Sequence, residues 1–451
     1  MTTTAVILAA GQGTRMRSKL PKMLHPLMGR PLIQYALDAV KTATDQTPVV
    51  VVGHGAEQVR EAVGDAARFT IQDRQLGTAN AVQAAEGLLE GENGLVLVLF
   101  ADMPLFRAET LRDLVAAQRE NSGPFTMLTV VAEDPRGFGR IIRDPRGEVV
   151  AIVEEAQATP QQLEIHELNA SVYCFDGQWL WEALRQVGLS PKGEYYLTDV
   201  VEIAVRQGHR VRAFTLKDPA EALGINNRVH LAEAEAILRR RINQAWMEAG
   251  VTIIDPATTY IQPGVQIGQD TEIWPNTYLR GATRIGENCV IGPNTILEDM
   301  RVGDHCKVLA SVLEKSVLED HVDIGPFGHL RKGAHLAEGV HMGNFGEVKD
   351  SYLGPDTKMG HFSYIGNAQI GANVNIGAGT ITCNYDGAHK NLTEIGDNVF
   401  IGSDTMLVAP VKLGPGARTG AGAVITHDVQ PGEVVVGVPA RPLVKKKEND
   451  E

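Results

Sequence analysis

Two stretches of the sequence carry side chains suited to moving a charged group. Near the N-terminus, Leu8-Ala9-Ala10-Gly11-Gln12-Gly13-Thr14-Arg15-Met16 directly follows an apolar run, and Lys22 comes soon after. Glycine-rich backbone lets bare amides approach phosphate oxygens, while Arg15 and Lys22 supply positive charge. The spacing is neither GxGxxG nor GxxxxGK(S/T), so the dinucleotide and P-loop fingerprints both fail. Asp102 ends the apolar run Leu95–Phe100, where a carboxylate can be offered to a divalent cation. In the second stretch His361 sits within Gly360–Gly366, and Asn373–Gly387 follows. An imidazole changes its charge nearest neutral pH, which suits a general base.

The elements that must position these residues follow from hydrophobic pattern. Val6-Ile7-Leu8, Val49–Val52 and Leu95–Phe100 read as buried strands, with helices expected over Leu32–Val40, Ala79–Leu89 and Thr110–Arg119. Continuous apolar strands separated by helices predict a Rossmann-like α/β domain over 1–228 with a mostly parallel sheet. Ligands of such sheets bind at the carboxyl ends of the strands, where the loops after Leu8 and Phe100 begin. Residues 229–250 read as a linker helix whose apolar stripe is Leu231, Ala234, Leu238, Ile242, Ala245 and Trp246, with Arg239-Arg240-Arg241 on solvated faces.

From Val251 a different rule takes over. Aliphatic residues recur every six positions, as at Ile267, Ile273, Leu279, Ile285, Ile291 and Leu297, then Val302, Val308, Leu318, Ile324, Leu330, Leu336, Met342 and Val348. The series returns at Met359, Ile365, Ile370, Ile376, Ile395, Ile401, Leu407 and Leu413. A period of six fits neither a helix nor one long strand. It fits a β-helix of hexapeptide repeats spanning 251–451, on the order of ten coils, with the charged tail from Lys445 expected to be disordered. The lapse between Ile376 and Ile395 marks a loop extruded from the coil. His329, His335 and His341, spaced by six, fall on three faces of such a coil, so one zinc ion cannot collect them within a subunit.

Composition bounds the partners. The 451 residues carry 42 Lys+Arg against 55 Asp+Glu, a net charge of −13, with 43% hydrophobic and 22% charged residues. That is ordinary for a soluble globular chain; it excludes disorder as the main state and argues against nucleic acid as a general partner. No run approaches the ~20 apolar residues of a membrane span. The scattered Cys174, Cys289, Cys306 and Cys383 form no CxxC pair, so free thiols and a cytoplasmic location are expected.

Leu8–Met16 with Ser18–Lys22 resembles the signature of the sugar-1-phosphate nucleotidyltransferases. Gln75–Ala79, Phe100–Leu105, Gly137–Ile141, Ile152–Glu154, Glu167–Asn169, Gly193–Asp199 and Gly224–Arg228 follow in that family's order. The resemblance implies that Leu8, Ala9, Ala10, Gly11, Gln72, Gly77 and Thr78 hold the uridine of UTP. It assigns N-acetylglucosamine to Gly139, Glu154 and Asn169, catalytic phosphate contacts to Lys22 with Arg15, and Mg2+ to Asp102 with Asn226, which also touches substrate. Where relatives show Asn-Thr-Gly, this chain has Asn169-Ala170-Ser171. The reaction needs no protein nucleophile, and no triad stands out.

Gly360–Gly366 and Asn373–Gly387 on the period-six series resemble the acetyltransferase half of the bacterial bifunctional N-acetylglucosamine-1-phosphate uridylyltransferases/glucosamine-1-phosphate N-acetyltransferases, on a left-handed parallel β-helix. By that resemblance His361 is the general base, Asn384 orients it or the thioester carbonyl, and Arg331, Lys349, Tyr364 and Asn375 bind glucosamine-1-phosphate. Ala378, Asn384, Tyr385, Ser403 and Ala421 line the acetyl-CoA groove. Relatives read Arg-Leu-Arg-Pro-Gly where this chain has His329-Leu330-Arg331-Lys332-Gly333, and Gly437 replaces a coenzyme A-contacting arginine, with Arg441 four residues on. The family further implies a homotrimer with acetyl-transfer sites between subunits, and a UDP-N-acetylglucosamine product for peptidoglycan, lipopolysaccharide and cell shape. The competing expectations are a monofunctional nucleotidyltransferase with a scaffolding β-helix, and a non-enzymatic sugar-nucleotide binder.

Overall fold

The computed structural model describes residues 1–89 and 94–437. They form two compact units that divide between Leu238 and Arg239, inside the helix Arg228–Glu248.

The first unit is built on a sheet whose main path runs Arg212–Thr215, Phe125–Val131, Glu167–Asp176, Leu95–Phe100, Thr3–Leu8, Val49–Val52, Arg68–Ile71. All pairings on this path are parallel except those of Glu167–Asp176, which is antiparallel to both neighbours. Side chains alternate faces along a strand, so Ala5 and Ile7 enter one core while Val6 and Leu8 enter the other. Burial on both faces is why Ala5–Leu8 and Leu95–Phe100 read as unbroken apolar runs. Leu8 pairs with Phe100, so the two loops carrying Arg15 and Asp102 leave the same edge side by side.

Two expected elements differ. The helix over Ala79–Leu89 is two shorter ones, Thr78–Gln83 and Glu86–Leu89. Thr70 Oγ1 donates to Ala84 O, and Leu88 N turns to Ala85 O instead of continuing the α-helical ladder. In Arg228–Glu248, Ala245 is exposed and Asn243 is buried in its place on the inner side. Asn243 Nδ2 donates to Pro256 O and Thr259 O at 2.9 and 3.0 Å, which offsets the cost of burying an amide. Arg239 is not simply solvated either: its guanidinium lies 4.6 Å over the Tyr260 ring.

The described residues of the second unit form a parallel β-helix with three faces of eleven, ten and nine short strands. Face one runs from Thr252–Ile253 to Val434–Val435, face two from Tyr260–Ile261 to Val424–Ile425, and face three from Gln266–Ile267 to Val411–Leu413. The period-six aliphatics point inward and form one continuous core. Counting by six passes over Leu313 and Leu353, which arrive five residues after Val308 and Val348 and are equally buried. The lapse after Ile376 is shorter than expected. Thr382 takes the next inward position, its hydroxyl accepting from Gly366 N at 2.7 Å and donating to Gly366 O at 3.1 Å. The extruded segment therefore runs between the strands Ile381–Cys383 and Thr393–Ile395. His329, His335 and His341 fall on faces two, three and one. No helix among the described residues is long and apolar enough to cross a membrane.

Candidate functional site

At the carboxyl edge of the first sheet lies a cavity of about 400 Å³. The glycine-rich loop and the Gln75–Ala79 segment both line it, and a glycine in each allows a close approach. Gly13 has φ +62°, and a Cβ there would stand 2.6 Å from Lys22 Cβ; Gly77 has φ +105°, and its Cβ would stand 2.5 Å from Tyr195 O. These close approaches let Lys22 and Tyr195 pack on bare backbone. Lys22 is 8% exposed, and its Nζ donates to Asp102 Oδ2 at 2.5 Å and Asn226 Oδ1 at 3.0 Å. Arg15 Nη2 reaches the same Asn226 Oδ1 at 3.0 Å, and Ile225 N donates to Asp102 O at 2.8 Å, tying the two loops. Two side-chain oxygens from distant parts of the chain thus converge on one cationic point.

The opposite wall is set by Gln72, whose Nε2 donates to Gly77 O and Asn80 Oδ1 at 3.0 and 2.9 Å. Thr78 Oγ1 accepts from Leu197 N. Gln75 and Glu194, within the quoted motifs but given no role, also line the cavity; Gln75 Nε2 holds Ala10 O at 2.7 Å. Ala9 does not line it: its side chain enters the core and its N–H donates to Val51 O.

Gly139, Glu154 and Asn169 form a separate cluster beside the cavity. Asn169 N donates to Gly139 O at 2.8 Å, and Asn169 Nδ2 to Tyr173 OH at 2.7 Å. Glu154 Oε1 accepts from Thr198 Oγ1 at 3.1 Å, joining it to the Tyr195–Thr198 segment that backs Gly77 and Thr78. Burial raises the Glu154 carboxyl above its ordinary range, helped by Glu194. Asp199 nearby is pushed up to about 6, by burial and then by Glu202 and Glu154. The Asn169-Ala170-Ser171 departure has a structural correlate: Ser171 has φ +58° at a bulge between Asn169 and Tyr173, with its N–H donating to Asn169 Oδ1. That is backbone a glycine adopts without cost.

On the β-helix, the candidate acetyl-transfer residues gather at one corner and the face beside it. The strands Lys358–Met359, Asn375–Ile376, Phe400–Ile401 and Arg418–Thr419 are in register on face one. His361, Ala378, Ser403 and Ala421 each come two residues after those strands, so they stack along the corner toward face two. Hydrogen bonds from Gly379 N to Phe362 O, Asp404 N to Ala378 O and Gly422 N to Ser403 O close the stack. His361 is exposed and has no hydrogen-bond partner among the described residues.

On face two, Arg331, Lys349 and Tyr364 come together in neighbouring coils. Arg331 pairs with Glu347 at 2.9 Å. The Lys390 ammonium, on the extruded loop and within hydrogen-bonding reach, holds Lys349 below its ordinary pKa. Asn384 is buried, and its Nδ2 donates to Asn367 Oδ1 at 2.7 Å rather than to His361. Asn375 stands on face one, apart from that group, and Tyr385 is exposed on the loop with its OH donating to Gly387 O. Glu347, Asn367 and Lys390 were missed from the sequence; only Lys390, a cation in the lapsed segment, carried a readable signal. A Cβ on Gly437 would stand 2.9 Å from Gly422 O, so this position is closed to a larger residue without a backbone shift. Arg441 and the tail from Lys445 lie outside the described residues.

An α/β unit with a charged cavity at its strand ends, continued by a hexapeptide β-helix, defines a two-part transferase. The MobA-like NTP transferase domain matches residues 5–191, and the bacterial transferase hexapeptide (six repeats) matches residues 264–299 and 392–427. "Bifunctional protein GlmU" of Heliobacterium modesticaldum is 48% identical over 99% of this chain and 97% of its own length. The proteins of that name from Halalkalibacterium halodurans and Streptococcus agalactiae are 46% and 44% identical, covering 94% and 97% of this chain and 94% and 95% of their own. The chain belongs to the bifunctional GlmU family. The leading sequence expectation stands: one enzyme, with nucleotidyltransferase and acetyltransferase halves, on an α/β domain and a β-helix consistent with the left-handed form. The monofunctional alternative is not favoured.

Proposed function

We propose that the chain makes UDP-N-acetylglucosamine at two separate sites, with domains at 1–228 and 251–451 joined by a linker helix at 229–250. Acetyl-CoA and glucosamine-1-phosphate react on the β-helix. The N-acetylglucosamine-1-phosphate formed then takes uridylyl from UTP in the α/β domain. The observation that carries the reading is the convergence of Arg15, Lys22, Asp102 and Asn226 beside the glycine-rich loop.

For uridylyl transfer, a sugar-phosphate oxygen attacks the α-phosphorus in line and pyrophosphate leaves with the broken P–O bond. Arg15 and Lys22 spread positive charge over the phosphate oxygens, while Leu8, Ala10, Gly11, Gln72, Gly77 and Thr78 hold the nucleoside and Gly139, Glu154 and Asn169 the sugar. Asp102 Oδ2 and Asn226 Oδ1 already meet at one cation. An all-oxygen pair that leaves room for phosphate and water fits Mg2+. Bound there, Mg2+ supplies charge neutralisation to the phosphates.

For acetyl transfer, His361 takes a proton from the glucosamine amine as nitrogen attacks the thioester carbonyl, and coenzyme A leaves as its thiolate. Arg331, Lys349 and Tyr364 hold the acceptor's phosphate and sugar, with Asn375. Ala378, Asn384, Tyr385, Ser403 and Ala421 seat acetyl-CoA. A cytoplasmic homotrimer with acetyl-transfer sites between subunits completes the reading, its product serving cell-wall synthesis.

The test is thiol release from acetyl-CoA with glucosamine-1-phosphate and no UTP, against glucosamine-6-phosphate and a no-substrate blank for the protein thiols. Release that depends on the 1-phosphate is expected. Well-folded protein that releases none would refute the acetyl-transfer assignment, and a parallel assay for UTP-dependent pyrophosphate release decides the other half.

A further inference from the structure

The three candidate sugar residues are all held by one strand. Arg140 follows Gly139 directly; its backbone is in register with Val153, which precedes Glu154, and with Leu168, which precedes Asn169. Its side chain is 2% exposed, and Nη1 donates to Phe138 O at 2.6 Å and to Glu155 Oε2 at 2.9 Å. Nε is buried without a hydrogen-bond partner. The guanidinium therefore joins the residue before Gly139 to the residue after Glu154. A buried cation leans heavily on its paired carboxylate, because removing that partner leaves the charge uncompensated.

We propose that the Arg140–Glu155 ion pair is a positioning clamp for the sugar pocket. It fixes the spacing of Gly139 and Glu154, and so the affinity for the sugar-1-phosphate, without touching that substrate. The uridine residues are fixed separately: Gln72, Gly77 and Thr78 hold to Asn80 and to the Tyr195–Leu197 segment, which the clamp reaches only through the Glu154–Thr198 bond. The inference rests on Gly139, Glu154 and Asn169 being the sugar site.

The experiment measures uridylyl transfer by full-length Glu155→Gln, Glu155→Asp and Arg140→Met, with KM determined separately for N-acetylglucosamine-1-phosphate and UTP. Acetyl transfer and Tm are followed on the same samples. Loss of one charge-assisted bond should raise the sugar-phosphate KM on the order of tenfold in Glu155→Gln. The UTP KM and acetyl transfer should hold, and Glu155→Asp, which keeps the charge, should recover most of the loss. Glu155 is half-exposed, so water can partly solvate the charge that Glu155→Gln leaves unpaired, and the Tm of each variant separates a loss of fold from a loss of sugar affinity. An unchanged sugar-phosphate KM in Glu155→Gln, or both KM values rising together as Tm falls, would overturn the clamp. Glu154→Gln separates the two layers: if it too leaves the sugar-phosphate KM unchanged, the sugar-site reading itself is wrong.

Discussion

In the α/β unit the charged groups meet inside a cavity: Lys22 reaches Asp102 and Asn226 within 3.0 Å, and Arg15 shares the same amide oxygen. On the β-helix, His361 stands exposed at a corner, the phosphate-binding candidates lie on the adjoining face, and Asn384 is engaged by Asn367. The first site is pre-organised by its own chain, through loops that leave one sheet edge together. The second is laid out along a solenoid whose coils fix spacing in one direction but offer no enclosing wall. A rigid ladder positions side chains cheaply; enclosure has to come from what settles against it.

The sharpest way to break this comparison is to disable each site alone. His361→Ala should cut acetyl transfer by about 10²–10⁴-fold, the span a general base contributes, and leave uridylyl transfer intact. Asp102→Asn should do the reverse, because it removes the carboxylate charge facing Lys22 without changing shape. Both activities measured on each variant decide it. Loss of both in either variant, at wild-type Tm, would mean that the sites are not separate.

A second test probes the coil at the place where the repeat was hardest to read. Thr382→Val restores an aliphatic to the inward position and so improves the pattern. It should nevertheless cost about 1–3 kcal/mol in the β-helix unfolding transition, because Gly366 N–H loses its acceptor inside the coil. A neutral or stabilising result would show that the hydroxyl is incidental.

That residue also shows what the sequence could reveal and what it could not. A period of six exposes a solenoid because every coil repeats the same burial problem, and the α/β strands announce themselves by burial on both faces. Thr382 and Asn243 stayed hidden because each is a polar group buried against carbonyls or amides that only tertiary structure brings near. Leu313 and Leu353 were passed over for a simpler reason, a corner one residue short. At the sites, motif residues from the glycine-rich loop and the strand ends were readable. The partners that orient them, Asn367 for Asn384 and Glu347 for Arg331, carry no local signature, since cross-coil neighbours are defined by register alone.

Acid–base behaviour should separate the two regions by sign. Asp199 has its folded pKa raised from 3.8 to about 6, so the folded state binds that proton more tightly than the unfolded chain. Its contribution to stability therefore grows as pH falls from above 6 toward about 4, and at pH 7 the ionised group is a cost. Asp386 on the extruded loop is lowered to about 2, first by the His389 amide; it stabilises above 3.8 and that contribution fades as pH falls toward 2. Asp199→Asn should raise the stability of the α/β unit at pH 7 by about 1 kcal/mol, after discounting for a half-exposed group, with the gain gone by about pH 4. Unfolding curves of the variant and wild type at both pH values check it; a gain that persists at pH 4 would point to packing instead.

The smallest effect tests a local irregularity beside the α/β pocket. Ser171 holds φ +58°, and a left-handed backbone costs an L-residue about 1–2 kcal/mol. Glycine keeps the backbone N–H bond to Asn169 Oδ1, but it loses more chain entropy on folding, which offsets part of the gain. Ser171→Gly should therefore stabilise the unit by only about 0.5–1 kcal/mol. Because the turn orients Asn169, the sugar-phosphate KM should stay the same or fall slightly. A rise in that KM at higher Tm would show that the serine itself, rather than the conformation it is forced into, contributes to the pocket.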